Sequence, residues 1–228
     1  MNKKYNVLNW IFYVAFVGLG VALCTKADLG LSMIAAPPYI LHLWLRDRFA
    51  WYTQGTSEYV WEAIVLLVMC LIVRRFKPSW LLSFVTAVVS GFVIDGWLFL
   101  FGGNGAYADM AVRIVSFAGG IVITSFGVAC CFRTTLPLQV YELVVKEVAE
   151  KFRLPIAKVK QGFDIVMLVI SVALALLLTG GLHGVGIGTV IAAVVNSTII
   201  FWWGKLIDKV EGTGNKTPKN TNNHSKTE

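Results

Sequence analysis

Long apolar stretches separated by short polar segments dominate the chain. A helix that crosses the roughly 30 Å hydrocarbon core of a bilayer needs about 20 residues. Stretches of this kind lie at about 8–25, 58–73, 79–101, 111–132, 163–179 and 187–206. The pattern therefore predicts an all-α polytopic membrane protein with six transmembrane helices.

Two further segments have a different pattern. Residues 29–45 are apolar but are interrupted by Pro37 and Pro38, which predicts a broken helix. Residues 137–153 alternate apolar and charged positions at helical spacing, which is typical of an amphipathic helix lying on a membrane surface. One such segment follows the first span, and the other follows the fourth.

Composition supports the membrane class. Apolar residues make up 57% of the 228 positions and charged residues 14%, with a mean hydropathy of +0.70. Soluble domains carry about 25% charged residues. Residues 211–228 have no apolar periodicity, so we predict a disordered tail there.

The basic residues predict the orientation of the spans, because cytoplasmic loops are enriched in Lys and Arg. With the N-terminus inside, the alternating segments on that side contain all the basic residues but four. The exceptions are Lys26, Arg46, Arg48 and Arg113. We therefore expect both termini, and the tail with them, to be cytoplasmic.

The chain also contains an internal repeat. "GVALCTKADLGL" at 20–31 is echoed by "GVACCFRTTLPL" at 127–138, and "AVVSGFVIDGW" at 87–97 by "AVVNSTIIFWW" at 193–203. Residues 1–104 and 105–210 then form two halves of three spans each. Because three is odd, the second half runs through the membrane inverted, which predicts a 3+3 inverted repeat.

Inverted repeats are used by many secondary transporters, whose substrate sites lie at the repeat interface. We therefore expect a small-molecule permease that works by alternating access. The alternative is a membrane protein that does not transport by itself: an accessory subunit or the substrate-binding component of a larger importer. A homodimer is compatible with either hypothesis.

No catalytic or cofactor motif accompanies the spans. The four cysteines lie in or beside apolar stretches without metal-ligand spacing, and no phosphate-binding loop or catalytic triad is present. We expect no enzyme activity, no metal or other cofactor and no nucleic-acid partner. The expected partners are the bilayer and an unknown small molecule.

The joint after the first span of each half supplies the first candidate site residues. Lys26, Asp28 and Gly30 stand at one joint, and Arg133 stands at the other. A basic side chain beside a new helix N-terminus favours an anionic ligand. The alternative is that the two cations extend to the membrane interface.

Acidic residues inside or beside the spans suggest ion pairs. Two gates are predicted, Lys26 with Glu62 at one membrane face and Arg133 with Asp164 at the other. Asp95 lies within the third span, where a charge is costly and has a partner or faces a cavity. Lys26 and Arg113 are its predicted partners, in a structural pair or in proton or cation coupling.

Two further sets complete the candidates. Asn196 lies at mid-depth in the last span, where it either packs helices together or contacts a substrate. A glycine-rich turn precedes the same span and comprises Gly180, Gly181, Gly184, Gly186, Gly188 and Thr189.

The joint sequences and the run "LLLTGGLHGVGIGT" resemble the YczE/YyaS/YitT family of bacterial integral membrane proteins over about residues 8–207. The resemblance implies a bacterial plasma membrane location, but no substrate, since the family's biochemical activity is not established. Many relatives carry a Pro-Trp-Asp-like run after the first Leu-Gly. Met33, Ile34 and Ala35 stand there in this chain.

Overall fold

A computed structural model describes residues 3–103 and 105–210, and the predicted tail at 211–228 lies outside the described residues. The described part is all-helical. Its helices are α1 (Lys3–Ala27), α2 (Ala36–Leu45), α3 (Gln54–Val73), α4 (Trp80–Leu100), α5 (Met110–Cys131), α6 (Val140–Phe152), α7 (Ile156–Leu174, continued by a π-helical turn at Ala175–Thr179) and α8 (Ile187–Val210).

Six of these helices are long and apolar enough to cross a membrane, which confirms the predicted fold class. They are α1, α3, α4, α5, α7 with its π turn, and α8. The second span begins at Gln54, earlier than the predicted residue 58. The reason is a capped start, because the Thr53 hydroxyl accepts a hydrogen bond from the Thr56 N–H at 3.0 Å.

Helices α1 and α5 form the centre of the bundle and approach each other closely. A Cβ on Gly20 would lie 2.0 Å from Oγ1 of Thr124, and one on Gly120 would lie 2.7 Å from Sγ of Cys24. Small residues allow such close backbone contact between membrane helices, where dispersion rather than hydrophobic burial drives association. The first helices of the two predicted halves therefore meet along their length.

Helices α2 and α6 are half-helices that begin inside the bundle. We call the face at which α1 begins the N-face and the other the far face. Helix α2 connects two helix ends at the far face and α6 connects two at the N-face. Pro37 and Pro38 occupy the first turn of α2, where proline is tolerated because those N–H groups have no helical partner, so they start this helix rather than break it.

The amphipathic segment at 137–153 is a helix, but it does not lie on the membrane surface as predicted. The apolar side of α6 packs against α3, α4 and α7. Val140, Tyr141 and Val145 are at most 4% exposed. The charged side faces outward at Lys146 and Glu150. An amphipathic pattern describes a helix with one buried face, whether protein or lipid covers that face.

Most helix contacts occur in pairs related by exchanging the two halves. The contact of α1 with α4 corresponds to that of α5 with α8. The contact of α2 with α3 corresponds to that of α6 with α7, and the contact of α3 with α6 corresponds to that of α7 with α2. Helices α3 and α4 are in close contact, whereas α7 and α8 make no corresponding contact within the described residues. The second half is therefore open where the first half is closed.

Candidate functional site: a cavity between two half-helices

A cavity of about 320 Å³ lies where the two half-helices begin. Every helix except α2 contributes a side chain to its lining, and the loop that leads into α2 contributes Ser32, Met33, Ile34 and Ala35. Binding sites in membrane transporters are commonly built where discontinuous helices start near mid-membrane. Met33, Ile34 and Ala35 stand where the resemblance implies a Pro-Trp-Asp-like run in relatives, so this chain presents apolar side chains there.

Glu62 anchors the start of α6. Its side chain is fully buried, and its two carboxylate oxygens accept hydrogen bonds from Nε2 of Gln139 at 3.1 Å and from the backbone N–H of Val140 at 3.0 Å. Gln139 also donates to Ser90 at 3.1 Å and accepts from the Tyr13 hydroxyl at 2.6 Å. The network joins α1, α3 and α4 to the N-terminus of α6, where the helix dipole favours a carboxylate.

Glu58 lies one turn before Glu62 on α3 and lines the cavity. It is 6% exposed, and its Oε1 accepts a hydrogen bond from the Tyr141 hydroxyl at 3.2 Å. Glu142, the next residue of α6, also lines the cavity, and its buried Oε2 has no hydrogen-bond partner among the described residues. Glu58 and Glu142, from two different helices, therefore line the same cavity.

The surroundings perturb the acid–base chemistry of α6. Burial raises the pKa of Glu142 above its ordinary value, opposed by nearby Lys160 and by its own backbone N–H and reinforced by Asp164. Burial, and then the neighbouring Glu58 carboxylate, raise the pKa of Tyr141 well above that of free tyrosine. Tyr141 therefore remains a neutral hydrogen-bond donor to Glu58.

The pair predicted between Arg133 and Asp164 is not formed in the described conformation. Arg133 instead forms a bidentate pair with Asp208 on α8, with N–O distances of 2.7 and 2.8 Å, and also donates to the Gly204 carbonyl. Asp164 pairs with Lys160 one turn earlier on α7, at 2.6 Å. Both members of that pair line the cavity at its N-face end.

Lys26 and Glu62 are not paired in the described conformation either, although a far-face gate would be closed when the cavity faces inward. The Lys26 ammonium donates to the Gly103 carbonyl at 3.1 Å and lies 4.9 Å from the centre of the Tyr107 ring. Arg113 holds the end of α1 instead, through Asp28 Oδ2 at 3.3 Å and the Ala27 carbonyl at 2.6 Å. These cations fix the far-face joint and do not reach the cavity.

Asp95 does not pair with Lys26 or with Arg113. Its carboxylate accepts hydrogen bonds from the Thr53 hydroxyl at 2.5 Å and from the Gly55 N–H at 2.8 Å. It thus caps the first turn of α3 from the neighbouring helix. A carboxylate at a helix N-terminus is stabilised by the unpaired N–H groups and by the helix dipole.

The glycine-rich turn contacts the first joint at the far face, beside the loop that lines the cavity. Leu31 N–H donates to the Gly184 carbonyl and Gly188 N–H donates to the Leu29 carbonyl, both at 3.0 Å. We call these two backbone bonds the glycine clasp. A Cβ on Gly186 or Gly188 would lie 2.7 or 2.5 Å from the Leu29 oxygen, so side chains are excluded there.

Positive backbone angles explain other glycines of this region. Gly30 has φ +117°, and Gly180 and Gly184 have φ +67° and +77°. These angles favour glycine because it lacks a Cβ. The Thr189 hydroxyl accepts from Gly186 N–H at 3.2 Å and is buried beneath Gly30, whereas Gly181 lies outside the clasp beside the His183 ring. The joint and the turn, predicted separately, form one contact between the two halves.

Asn196 lines the cavity from α8, and its Oδ1 accepts a hydrogen bond from the Ser125 hydroxyl of α5 at 2.5 Å. Asn196 therefore both joins two helices of the second half and lines the cavity. Both roles considered for this residue from the sequence remain open.

Sequence reasoning missed most of the polar lining. The hydropathy pattern places Glu58 at a helix end and Tyr141 and Glu142 on an amphipathic surface helix, not in a chamber. One signal was available, because Glu58 and Glu62 are one turn apart in an apolar span and so share a helix face. No sequence pattern indicated that Gln139 and Glu142 lie deep in the bundle, because their depth depends on where α6 enters it.

Comparison with known proteins supplies a family and no activity. The model of a family of unknown function, DUF6198, matches residues 4–205. The uncharacterized protein YyaS of Bacillus subtilis (strain 168) is 25% identical over 150 residues, which cover 63% of this chain and 71% of that protein. No solved structure matches. The similarity to YyaS agrees with the resemblance stated from the joint and glycine sequences.

Proposed function

The chain belongs to the DUF6198 family of unknown function, and we propose that it is a small-molecule permease of the bacterial plasma membrane that works by alternating access. One observation carries the proposal. The cavity between the half-helices is lined toward the N-face by Lys160 and Asp164, whose side chains are 37% and 24% exposed, and at its other end by Ser32, next to the glycine clasp, which we infer to be its closure at the far face.

The paired helix contacts support an inverted repeat as the basis of the motion. If the halves exchanged conformations, α7 would close against α8 while α3 separated from α4. The cavity would then close at the N-face and open at the far face, as in other transporters built from inverted repeats. The clasp contributes only two backbone bonds, so its opening is a modest conformational step.

The distribution of basic residues supports the orientation, with the N-face in the cytoplasm. In that orientation the described conformation faces inward. We further propose that the bilayer-facing surface of α7 and α8 is where a second copy or an accessory subunit packs. The most apolar windows of these two helices are 17% and 12% buried, against 39–50% in the other spans.

Reconstituted protein tests the permease proposal even though the substrate is unidentified. Liposomes containing the purified chain are loaded with a mixture of small polar metabolites and drug-like organic ions, and depletion of each compound is followed by mass spectrometry. We expect selective loss of one chemical class. The Ala193→Trp variant should abolish this loss, because residue 193 lines the cavity and a tryptophan there would fill it.

Val194→Trp is the matched control, since the neighbouring Val194 is 72% exposed and does not line the cavity. Equal loss from vesicles with and without protein would contradict transport. Co-purification of the chain in a stoichiometric complex that transports, while the isolated chain does not, would favour the accessory-subunit hypothesis instead.

A further inference from the structure

The acidic groups of the cavity are not balanced by its basic groups. Glu58, Glu142 and Asp164 line the cavity together with one base, Lys160. Lys160 is paired with Asp164 at 2.6 Å. Within the described residues neither Glu58 nor Glu142 forms an ion pair, although Lys160 lies near Glu142, and both carboxyl groups line the same cavity.

Both carboxyl groups also retain hydrogen-bonding capacity on the cavity side. Glu142 Oε2 is buried and has no partner, and Tyr141 is the one partner of the 6% exposed Glu58 in the described part of the chain. A buried polar atom without a partner is costly, and a buried charge without a partner is more so. A cation bound between the two groups would offset their negative charge, and one that carries N–H groups would also donate hydrogen bonds to them.

The same chamber offers little to an anion, contrary to the expectation from the joint sequences. Lys26 and Arg133 are held by Gly103 and Asp208. The half-helix N-termini do not compensate. Helix α2 has two prolines, which lack N–H groups, after Ala36, whose N–H donates to the Ser32 carbonyl, and the first N–H of α6 is bound by Glu62.

Much of the remaining lining is apolar or aromatic, beside the neutral polar side chains of Ser32, Ser90, Thr124, Gln139 and Asn196. Tyr13, Tyr141 and Phe132 line the chamber together with aliphatic side chains of α1, α4, α5 and α8. Aromatic faces attract cations, and quaternary ammonium groups are recognised in this way. The cavity also reaches the exposed Ala193 beside the opening between α7 and α8, which admits an apolar substituent.

We propose that the cavity binds an organic cation with an apolar body, whose charged centre lies between the carboxyl groups of Glu58 and Glu142. The proposal deepens the permease function and rests on it for its physiological meaning. The binding preference is nevertheless a property of the cavity alone and is measured separately.

The test uses three probes of one shape and three charges: choline, the neutral 3,3-dimethylbutan-1-ol and the anionic 3,3-dimethylbutanoate. Their binding to the purified full chain in detergent is measured by calorimetric titration near neutral pH. We expect choline to bind at least about tenfold more tightly than either analogue, a difference of about 1.4 kcal/mol. Equal affinities of choline and the neutral analogue would overturn the proposal.

Variants locate the charged centre. Glu142→Gln and Glu58→Gln should each weaken choline binding about tenfold and leave binding of the neutral analogue unchanged. Glu150→Gln is the matched control, because Glu150 lies on the exposed side of the same helix and its loss changes the net charge equally. Should Glu58→Gln fail to fold, as judged by gel filtration, Glu142→Gln decides. Unchanged choline affinity in Glu142→Gln would refute the assigned site.

The outcomes of the two experiments distinguish failure of the cation site from failure of the permease function. If choline binds with the expected preference but no compound leaves the loaded vesicles, the cation site is supported and the permease function is contradicted. If the vesicles lose an anion or a neutral compound and Ala193→Trp prevents this loss, the permease function is supported and the cation preference is contradicted.

Discussion

The glycine clasp gives the sharpest prediction about the closed far face. In Gly186→Ala the new Cβ would lie 2.7 Å from the Leu29 carbonyl oxygen, which is closer than van der Waals contact. That oxygen belongs to the backbone, so it cannot move away as a flexible side chain could. The two loops must separate to relieve the overlap. Both clasp bonds, from Leu31 to Gly184 and from Gly188 to Leu29, should then weaken or break.

The size of the effect follows from those two bonds. Each backbone hydrogen bond contributes a net of about 1 kcal/mol, so loss of the clasp should cost the closed conformation about 2 kcal/mol. At 1.4 kcal/mol per factor of ten, the open-to-closed ratio rises about 30-fold. Amide hydrogen exchange measures this ratio, because the Leu31 N–H exchanges through opening of the clasp.

Exchange is followed by mass spectrometry on peptides that contain Leu31 and Gly188. In Gly186→Ala we expect faster amide exchange in both peptides. Exchange in peptides from the contacting parts of α1 and α5 should be unchanged. Gly119→Ala is the matched control, since a Cβ there meets no atom within 4 Å and alanine favours the helix. Unchanged exchange at Leu31 in Gly186→Ala would refute the clasp as a closure.

Three further predictions concern a cap, a pH dependence and the orientation. Asp95→Asn should lower the free energy of unfolding by about 1–2 kcal/mol, because its carboxylate caps α3 through Gly55 N–H; an unchanged melting temperature would contradict this role. Choline affinity should fall as the pH decreases through the raised pKa of Glu142, since protonation removes the negative charge; Glu142→Gln should reduce this pH step to the part that Glu58 contributes, and an unchanged step would exclude Glu142 as its source. Cysteine at His183 should react with impermeant reagents on intact cells and cysteine at Lys77 only after permeabilisation, and the reverse result would invert the topology.

The helical architecture is predictable from the sequence because the thickness of the bilayer sets the length of an apolar span. The starts of the half-helices have local signals as well. Pro37 and Pro38 suit a first turn, and Gly30 permits a backbone angle of φ +117°. Each of these features depends on a few adjacent residues, so a single sequence contains the information.

The partners of the charged groups are not local and could not be predicted in this way. Lys26 binds a backbone carbonyl, which any residue supplies, and Arg133 pairs with Asp208 on the last helix. Asp95 proves to be a cap because α3 begins four residues earlier than its apolar pattern does. The basic and acidic positions were identified, whereas their pairing depends on helix rotation and depth, which hydropathy does not encode.

The most direct test of alternating access is the reactivity of a single cysteine in the cavity from each side of the membrane. The reporter is Ser32→Cys, which lines the cavity just inside the clasp, in a chain whose four native cysteines are replaced by alanine. Proteoliposomes of uniform orientation are treated with a membrane-impermeant maleimide on one side at a time. We predict labelling from both faces, faster from the N-face, with Gly186→Ala raising the far-face rate and lowering the N-face rate. Labelling from the N-face alone, in the parent and in Gly186→Ala alike, would contradict alternating access.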